Sequence, residues 1–347
     1  IVLATEIKNE NEVVIDGQYI GQLKGLRLDL DLKSGSLKTD IKSLRKAAKQ
    51  AIYPELMKRV NKIIKTETFS IDDNHRIYWM DSPIAYLVKG KSYLNPKLEI
   101  IVDESMSLES KENLKENLEK KLYSIISSEL SDLVNLSKSN LKNNYARALC
   151  YQLFENNGVI KREKVNETIK NITKEDRLIL RKSGIKIGRY HIFLPKMLKP
   201  AAVDLRVKLW KLYYNEDKEN VIPKSGLNFL KNETSKNNKF LLICGFENFN
   251  KFYVRVDILE RLFLKIIDNT KDGTFKIDSD MINLIGCSKE NFYKLLDLMH
   301  YKAKKNKDVN DDLFVYKPTY LKKSNKKRNI KNNKDNPFEK LTELRFR

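Results

Sequence analysis

Residues 181–214 read RKSGIKIGRYHIFLPKMLKPAAVDLRVKLWKLYY. Alternating apolar residues from Ile185 to Leu194 predict a β-strand, which Pro195 would end. Pro200 stands where a first helical turn is expected, because the missing N–H of proline costs nothing there. The helix that follows is apolar on two flanks and polar only along a narrow stripe, so we expect most of its surface to be buried.

Positive charge is concentrated around this stretch. The 347 residues include 67 Lys and Arg and 46 Asp and Glu, which gives a net charge of +21. Residues 138–214 carry a net +12 and residues 302–347 a net +9, whereas 1–137 and 215–301 are each neutral. Drift in base composition would spread the charge evenly, so two basic blocks favour a surface that faces a polyanion. Because clustered Lys and Arg are the electrostatic footprint of nucleic-acid binding, we rank that interpretation above a solvated basic face with a disordered tail.

The composition excludes several classes of protein. Apolar residues make up 41% of the chain, too many for a disordered protein. No run of about 18 apolar residues is present, so we expect no membrane partner. The three Cys lie far apart and there are only three His, which indicates neither a disulfide framework nor a zinc site. These features are typical of a reduced, cytoplasmic protein.

The N-terminal part repeats one hairpin. Val13–Ile15 and Tyr19–Leu23 predict two strands joined at Asp16-Gly17, because Asp-Gly accepts the positive φ angles of a tight turn. The same plan recurs 64 residues later within 77–87, and we expect both hairpins to lie in one small sheet. The helix predicted between the two hairpins contains Pro54, which is expected to kink or restart it.

Three further patterns predict structure nearer the C-terminus. Thr173 begins a capping box for a short helix that ends at Gly184. Residues 240–243 and 252–256 are predicted to pair as strands. Residues 278–318 predict the order helix, turn, helix and strand, which suits a winged helix whose second helix enters a groove of nucleic acid.

We therefore predict an α+β fold, mainly helical with small antiparallel sheets, and a winged-helix-like unit near the C-terminus. The chain is expected to contain several domains. They are an α+β domain with the two related hairpins (1–137), a basic domain of helices and a strand (138–214), an α+β domain with the helix-turn-helix-like end (215–320), and a basic disordered tail with a terminal apolar peptide (321–347).

No combination of residues indicates a catalytic site. The GKS sequence at 90–92 resembles the end of a phosphate-binding loop, but Ala85 stands where that loop needs a glycine. Acidic pairs such as Asp72-Asp73 fall in predicted loops without a companion His or nucleophile. We predict no catalytic residue, metal site or cofactor in this chain.

Residues 181–195, followed by LKPAA at 198–202 and by the start of the next helix, resemble the region behind the motor in alphaproteobacterial superfamily-two helicases, which are similar to the mitochondrial RNA helicase. The likeness continues nearly end to end and in order. The other stretches that carry it are GQLKGL (21–26), VRVDILERL (254–262), LIGCSKE (284–290) and DNPFEKL (335–341).

The resemblance implies the C-terminal region of an ATP-dependent DExH-type helicase of the bacterial cytoplasm. The phosphate loop, DExH box and arginine-rich late motif of that family have no counterpart here, and the chain begins at Ile1 without an initiator Met. We therefore expect the motor upstream of Ile1, with ATP and magnesium bound only there. The same resemblance allows a second interpretation, in which the chain is a stand-alone relative that lost its motor.

The leading hypothesis is a nucleic-acid-binding accessory region that guides single-stranded RNA, or DNA, as it leaves the motor. A nuclease or ribonucleoprotein is a further expected partner. Tyr190 and His191 either stack on bases or pack in the strand, and the sequence leaves both open. Lys289 and Lys294 would add sequence-independent attraction. The residues expected to contact phosphates are Arg181, Lys182, Lys186, Arg189, Lys196 and Lys199.

Two rival hypotheses belong to other classes of protein. The chain could be a protein–protein scaffold whose apolar surfaces and Pro337-Phe338 terminus dock a partner, with the basic charge incidental. It could also be an independent enzyme. The absence of any combination of residues that indicates a catalytic site argues against this hypothesis. Binding that does not depend on salt would favour the scaffold, because nucleic-acid binding weakens as salt rises.

Overall fold

The computed structural model describes residues 5–8, 11–15, 18–30, 38–67, 69–136, 141–216, 220–231, 238–304 and 313–316. It confirms the predicted α+β class, with helices and small antiparallel sheets. The chain divides into two compact units. The first unit is Ile1–Gly226 with Lys236–Phe246, and the second unit is Leu227–Ser235 with Glu247–Arg347. The finer four-part division stays a prediction, and its tail at 321–347 lies outside the described residues.

The first unit opens with two copies of one motif, a four-stranded antiparallel meander followed by a long helix. The first copy consists of β1 (Thr5–Lys8), β2 (Glu12–Ile15), β3 (Gln18–Lys24), β4 (Arg27–Leu30) and α1 (Lys38–Lys65). The second copy consists of β5 (Ser70–Ile71), β6 (Arg76–Trp79), β7 (Ser82–Ser92), β8 (Asn95–Ile100) and α2 (Leu108–Glu129).

The strand registers of the two copies match. Val13 pairs with Gly21, and 64 residues later Ile77 pairs with Ala85. Directly after each of these pairs the register shifts by one residue, so both hairpins carry an irregularity at the same place. The expectation that the hairpins share one sheet is wrong. Each hairpin pairs with its own flanking strands in a separate sheet, and in the described residues an isolated bridge between Leu26 and Val102 links the two copies.

Helix α1 is continuous over 28 residues and includes Pro54, so the helix does not restart there, and the alternative of a kink stays a prediction. Buried residues lie on both sides of the proline, including Ile52 and Leu56. Packing of this continuous apolar stripe offsets the hydrogen bond that a proline inside a helix cannot donate. The end of α1 is held by Lys121 on α2, whose ammonium donates to the carbonyls of Ile63 at 2.8 Å and Ile64 at 2.7 Å.

The basic part of the first unit surrounds a small three-stranded sheet, in which strand 191–193 lies between strands 186–187 and 159–161. Residues 185–194 form a hairpin and not the single predicted strand. The Gly188 N–H donates to the His191 carbonyl at 2.8 Å, which closes the turn between the two strands. The predicted strand at 240–243 is instead part of a helix. The elements are α3 (Ser131–Leu136), α4 (Asn144–Glu155), β9 (Val159–Lys161), α5 (Asn166–Lys170), α6 (Lys174–Lys182), β10 (Lys186–Ile187), β11 (His191–Phe193), α7 (Pro200–Tyr214) and α8 (Asn238–Ile243).

The second unit ends in the predicted helix–turn–helix–strand order. A helix (256–268), two short strands (270–271 and 274–276), two helices (279–285 and 289–298) and two more strands (302–303 and 313–315) follow one another. Strand 313–315 lies between strands 274–276 and 302–303 in the sheet, as in a winged helix. The strand predicted at 252–256 pairs with 246–249. The elements are β12 (Phe229–Lys231), β13 (Phe246–Phe249), β14 (Phe252–Arg255), α9 (Val256–Asp268), β15 (Thr270–Lys271), β16 (Thr274–Lys276), α10 (Ser279–Ile285), α11 (Lys289–Leu298), β17 (Lys302–Ala303) and β18 (Leu313–Val315).

Helix α7 is buried, as its two apolar flanks predict, and it also buries a charge. Arg206 is fully buried, and its guanidinium donates to the carbonyl of Asn157 and, at 3.0 Å, to the carbonyl of Met197. Burial lowers the pKa of Arg206 to about 10, so the side chain is still charged at neutral pH. One planar group thus satisfies two carbonyls at once.

We expect Arg206→Met to lower the free energy of unfolding by about 2–4 kcal/mol, because two buried carbonyls lose their donor. Arg206→Lys should also destabilise, since an ammonium cannot reproduce the planar fork. Urea unfolding of both variants measures the effect, with the exposed Lys115→Met as control. Equal stability of Arg206→Met and the wild type would contradict this role.

Candidate functional site

A cleft of about 650 Å³ lies in the basic part of the first unit. Its walls come from α6, from strand β10 and from the short 3-10 helix that precedes α5. Five of the nine lining residues are cationic, and in the described part of the chain the lining contains no carboxylate. The lining residues are Arg162, Lys174, Arg177, Leu178, Arg181, Gly184, Ile185, Lys186 and Ile187.

Helix α6 supplies three of the five cations. Lys174, Arg177 and Arg181 are spaced i, i+3 and i+7, which places them on one face of a helix. The helix begins as predicted, because the Thr173 hydroxyl accepts a hydrogen bond from the Asp176 N–H at 3.1 Å. Because the cap fixes where α6 begins and the opposite face of the helix is buried, the cationic stripe faces the cleft.

After α6 the chain turns at Gly184 and runs back along the cleft. The φ of Gly184, +86°, is in the left-handed region, where glycine is favoured. A Cβ atom at this position would lie 2.7 Å from Oδ2 of Asp132, so space also selects glycine. The turn leads into β10 and places Lys186 opposite the helix stripe.

Two of the cleft cations also support the backbone. The Arg162 guanidinium donates to the Gly188 carbonyl at 2.6 Å, and the Arg177 guanidinium donates to the Ile169 carbonyl at 2.8 Å. A carbonyl satisfies hydrogen bonds without neutralising the charge. The side chains of Lys174 and Arg181 form no hydrogen bond or ion pair with another described residue. The cleft therefore keeps its positive charge, and part of it is free to bind an anion.

The structure brings together only some of the residues singled out from the sequence. Arg181 and Lys186 line the cleft, whereas Lys182 is exposed beside it on α6. Arg189 and Tyr190 are half-buried in the turn between β10 and β11. These five residues lie within one short segment.

Three more of these residues lie near the segment but outside the cleft lining. His191 is 1% exposed and pairs with Lys161 in the sheet, which is the packing alternative that the sequence left open. Lys196 forms an ion pair with Asp132 at 2.8 Å, so its charge is already compensated. Lys199 is exposed directly before α7.

Lys289 and Lys294 lie on α11, in the second unit. Lys294 pairs with Glu290 at 2.5 Å, and the Lys289 ammonium lies 5.5 Å from the centroid of the Tyr293 ring. Asp297 is also exposed on this helix. Two positive and two negative side chains thus balance on the exposed face of α11.

Sequence reasoning missed Arg162, Lys174 and Arg177. The spacing of the last two with Arg181 was a readable signal, because i, i+3 and i+7 positions share a helix face. The position of Arg162 had no such signal. It reaches the cleft only because residues 185–194 fold into a hairpin whose turn carbonyl it binds.

We expect the cleft cations to differ in their effect on stability. Arg177→Met should lower the melting temperature by about 2–4 °C, because a hydrogen bond of about 1 kcal/mol is lost. Lys174→Met should not lower it, since the Lys174 side chain has no described partner and stands at the first residue of α6, where a positive charge is unfavourable. Thermal unfolding followed by circular dichroism compares the two, and equal losses would contradict the distinction.

Comparisons with protein-family models, curated proteins and solved structures found no match. In the described ranges no helix is long and apolar enough to cross a membrane. Nor do the described side chains include a group of three His, Cys, Asp or Glu placed to hold a metal ion.

Proposed function

We propose that this chain is a nucleic-acid-binding accessory region of an ATP-dependent helicase and that its cleft binds the phosphate backbone of a single strand. The observation that carries the proposal is a cleft lined by five cations and no carboxylate among the described residues. Phosphate contacts from Lys and Arg dominate the affinity of proteins for nucleic acid.

The length of the cationic stripe supports a polymer over a small anion. Lys174 and Arg181 are seven residues apart on α6, which is about 10 Å along a helix axis. A stripe of this length can contact successive phosphates of a strand. Leu178, which is 54% exposed between the cations, offers an apolar contact to a sugar or base.

The position of Lys174 also supports binding. It is the first residue of α6, where the helix dipole disfavours a positive charge. The lysine therefore costs helix stability and makes no described contact that would compensate. An anionic ligand in the cleft supplies the missing interaction.

The helicase part of the proposal and the preference for RNA depend on the sequence resemblance. The motor, with its ATP and magnesium, would belong to other parts of the parent protein. In this arrangement the cleft holds the strand that leaves the motor, so the accessory region would act without a catalytic group of its own.

The first test is the salt dependence of strand binding. We expect Lys174→Gln/Arg181→Gln/Lys186→Gln to weaken binding of an oligouridylate and to flatten the plot of log affinity against log salt by about 2, since each lost phosphate contact in a single strand removes about 0.7. Fluorescence anisotropy at several salt concentrations measures both. These three residues were chosen because they are exposed.

The matched control is Lys62→Gln/Lys115→Gln/Lys120→Gln. It removes the same charge from exposed positions on α1 and α2. If the control and the cleft variant weaken binding equally, net charge and not the cleft attracts the strand. If the wild type binds protein partners independently of salt and binds no strand, the scaffold alternative replaces the proposal.

The second test is the mass of the native polypeptide that carries this sequence. We expect immunoprecipitation and mass spectrometry to find a product much larger than 40.7 kDa that includes motor peptides. ATP-driven unwinding by that product would then be assayed. A native product near 40.7 kDa would remove the helicase part and leave strand binding alone.

A further inference from the structure

The sheet at the winged-helix-like end of the second unit has two different faces. Its strand order is β15-β16-β18-β17, and every pair is antiparallel. Phe275 of β16 and Phe314 of β18 are buried opposite each other on the inner face, with ring centroids 5.9 Å apart. Phe314 lies 5.7 Å from Tyr293 of α11, and Phe275 lies 5.5 Å from the buried Tyr301, both measured between ring centroids. The inner face therefore packs against α11 in the core of the unit.

The outer face carries the residues on either side of these phenylalanines, because successive side chains of a strand point to opposite faces. The strand register arranges them in two rows across the sheet. The first row is Lys271, Thr274, Val315 and Lys302, one residue from each strand. The second row is Lys276, Leu313 and Lys304, where the Lys304 N–H donates to the Leu313 carbonyl at 2.8 Å and continues the pairing. These two rows form the lysine face.

The lysine face is positively charged. Its four lysines are all exposed, and the three other residues are half-buried. Neither row contains a carboxylate, and Asp272, which follows Lys271 in the chain, lies in the turn between β15 and β16. The side chains of Lys271, Lys302 and Lys304 form no hydrogen bond or ion pair with another described residue. The described part of the protein therefore does not neutralise the charge of these three lysines.

The spacing of the lysines suits a chain of phosphates. Neighbouring strands are about 4.8 Å apart, so Lys271 and Lys302, on the two outermost strands, are separated by about 14 Å across the sheet. Lys302 and Lys304 are two residues apart along one edge, which is about 7 Å. Lysines distributed over these distances can contact successive phosphates of a backbone.

The composition of the lysine face favours nucleic acid over a protein partner. Lysine is depleted in protein–protein interfaces, whereas its contacts with phosphates supply much of the sequence-independent affinity for nucleic acid. The two rows contain no aromatic ring to stack on a base and no side-chain amide to read one. The chain continues beyond β18 into residues 321–334, which include seven Lys and Arg and no Asp or Glu. Positive charge thus continues along the chain from the lysine face.

Helix α11 lacks this excess of charge, although a winged helix is expected to place its second helix in a groove of nucleic acid. Its exposed side chains include Lys289 and Lys294 but also Glu290 and Asp297. Of these two surfaces, only the lysine face has an excess of positive charge.

We propose that the lysine face binds the phosphate backbone of a nucleic acid without reading its bases. In this arrangement the winged-helix-like unit contacts its ligand through the sheet and not through α11. The proposal rests on the proposed function for the class of ligand, but it assigns a second surface, in the other unit from the cleft.

The test removes two charges from the lysine face in the full chain. Lys302→Gln/Lys304→Gln should flatten the plot of log affinity against log salt by about 1.4 for an oligouridylate, since each contact in a single strand contributes about 0.7. The affinity near 0.1 M salt should fall by about 10-fold, because each contact is worth about 5-fold for every tenfold change in salt. An abasic strand of the same length should show the same loss. Fluorescence anisotropy measures both strands.

The matched control is Lys289→Gln/Lys294→Gln, which removes the same charge from exposed positions on α11. It should leave the salt dependence as in the wild type. A second variant, Lys302→Arg/Lys304→Arg, keeps the charge and should bind as the wild type does. This variant separates loss of charge from damage to the sheet.

The outcomes distinguish failure of the lysine face from failure of the proposed function. If Lys302→Gln/Lys304→Gln binds both strands normally while the cleft variant is weakened, the lysine face is overturned and the cleft proposal stands. Equal losses in the sheet variant and the α11 control also overturn it, since net charge then explains the effect. A loss confined to the oligouridylate contradicts binding through phosphates alone. If the wild type binds neither strand, both proposals fail, and binding of an oligoglutamate instead would assign the lysine face to an acidic protein.

Discussion

The buried guanidinium of Arg206 holds together the part of the fold that carries the cleft. It donates to the carbonyl of Asn157, at the end of α4, and to that of Met197, in the turn before α7. Gly158 follows directly and accepts a hydrogen bond from the Leu194 N–H at 2.9 Å, which continues the pairing of β9 with β11. One side chain thus joins the end of α4 to the turn before α7, next to the strand pairing that carries the hairpin. A hydrophobic residue could fill the same volume but would leave both carbonyls without donors.

The protein uses positive charge in two different ways. Arg206 and Lys121 are directed inward to backbone carbonyls, where they satisfy the ends of helices and turns. Lys174 and Arg181 stay in the cleft without a described partner. Lys196, by contrast, is close in sequence to the cleft residues but is neutralised by Asp132. Local density of lysine and arginine therefore shows where an anion would be attracted, but the individual ion pairs decide which charges are available.

Both copies of the duplicated meander–helix motif contribute to one hydrophobic core in the first unit. Equal registers in the two hairpins mean that Gly21 and Ala85 occupy the same place, opposite Val13 and Ile77. Both copies direct their apolar face to a core that also contains residues of α4, α6 and α7. Lys89 lies on β7 of the second copy, which is longer than its counterpart β3, and its ammonium is 4.7 Å from the centroid of the Tyr213 ring on α7.

The sequence by itself determined the α+β class, the two related hairpins, the burial of α7, the Thr173 cap and the basic character of residues 138–214. These follow from periodicity, capping chemistry and local charge, all of which act over a few residues. Only the tertiary structure decided that residues 185–194 turn at Gly188, that the two hairpins belong to separate sheets, and that Arg162 meets Lys174 and Arg181 in one cleft. It also decided that His191 is buried. The reason is that these outcomes depend on contacts between segments distant in sequence, and a local pattern carries no information about which segments will pack together.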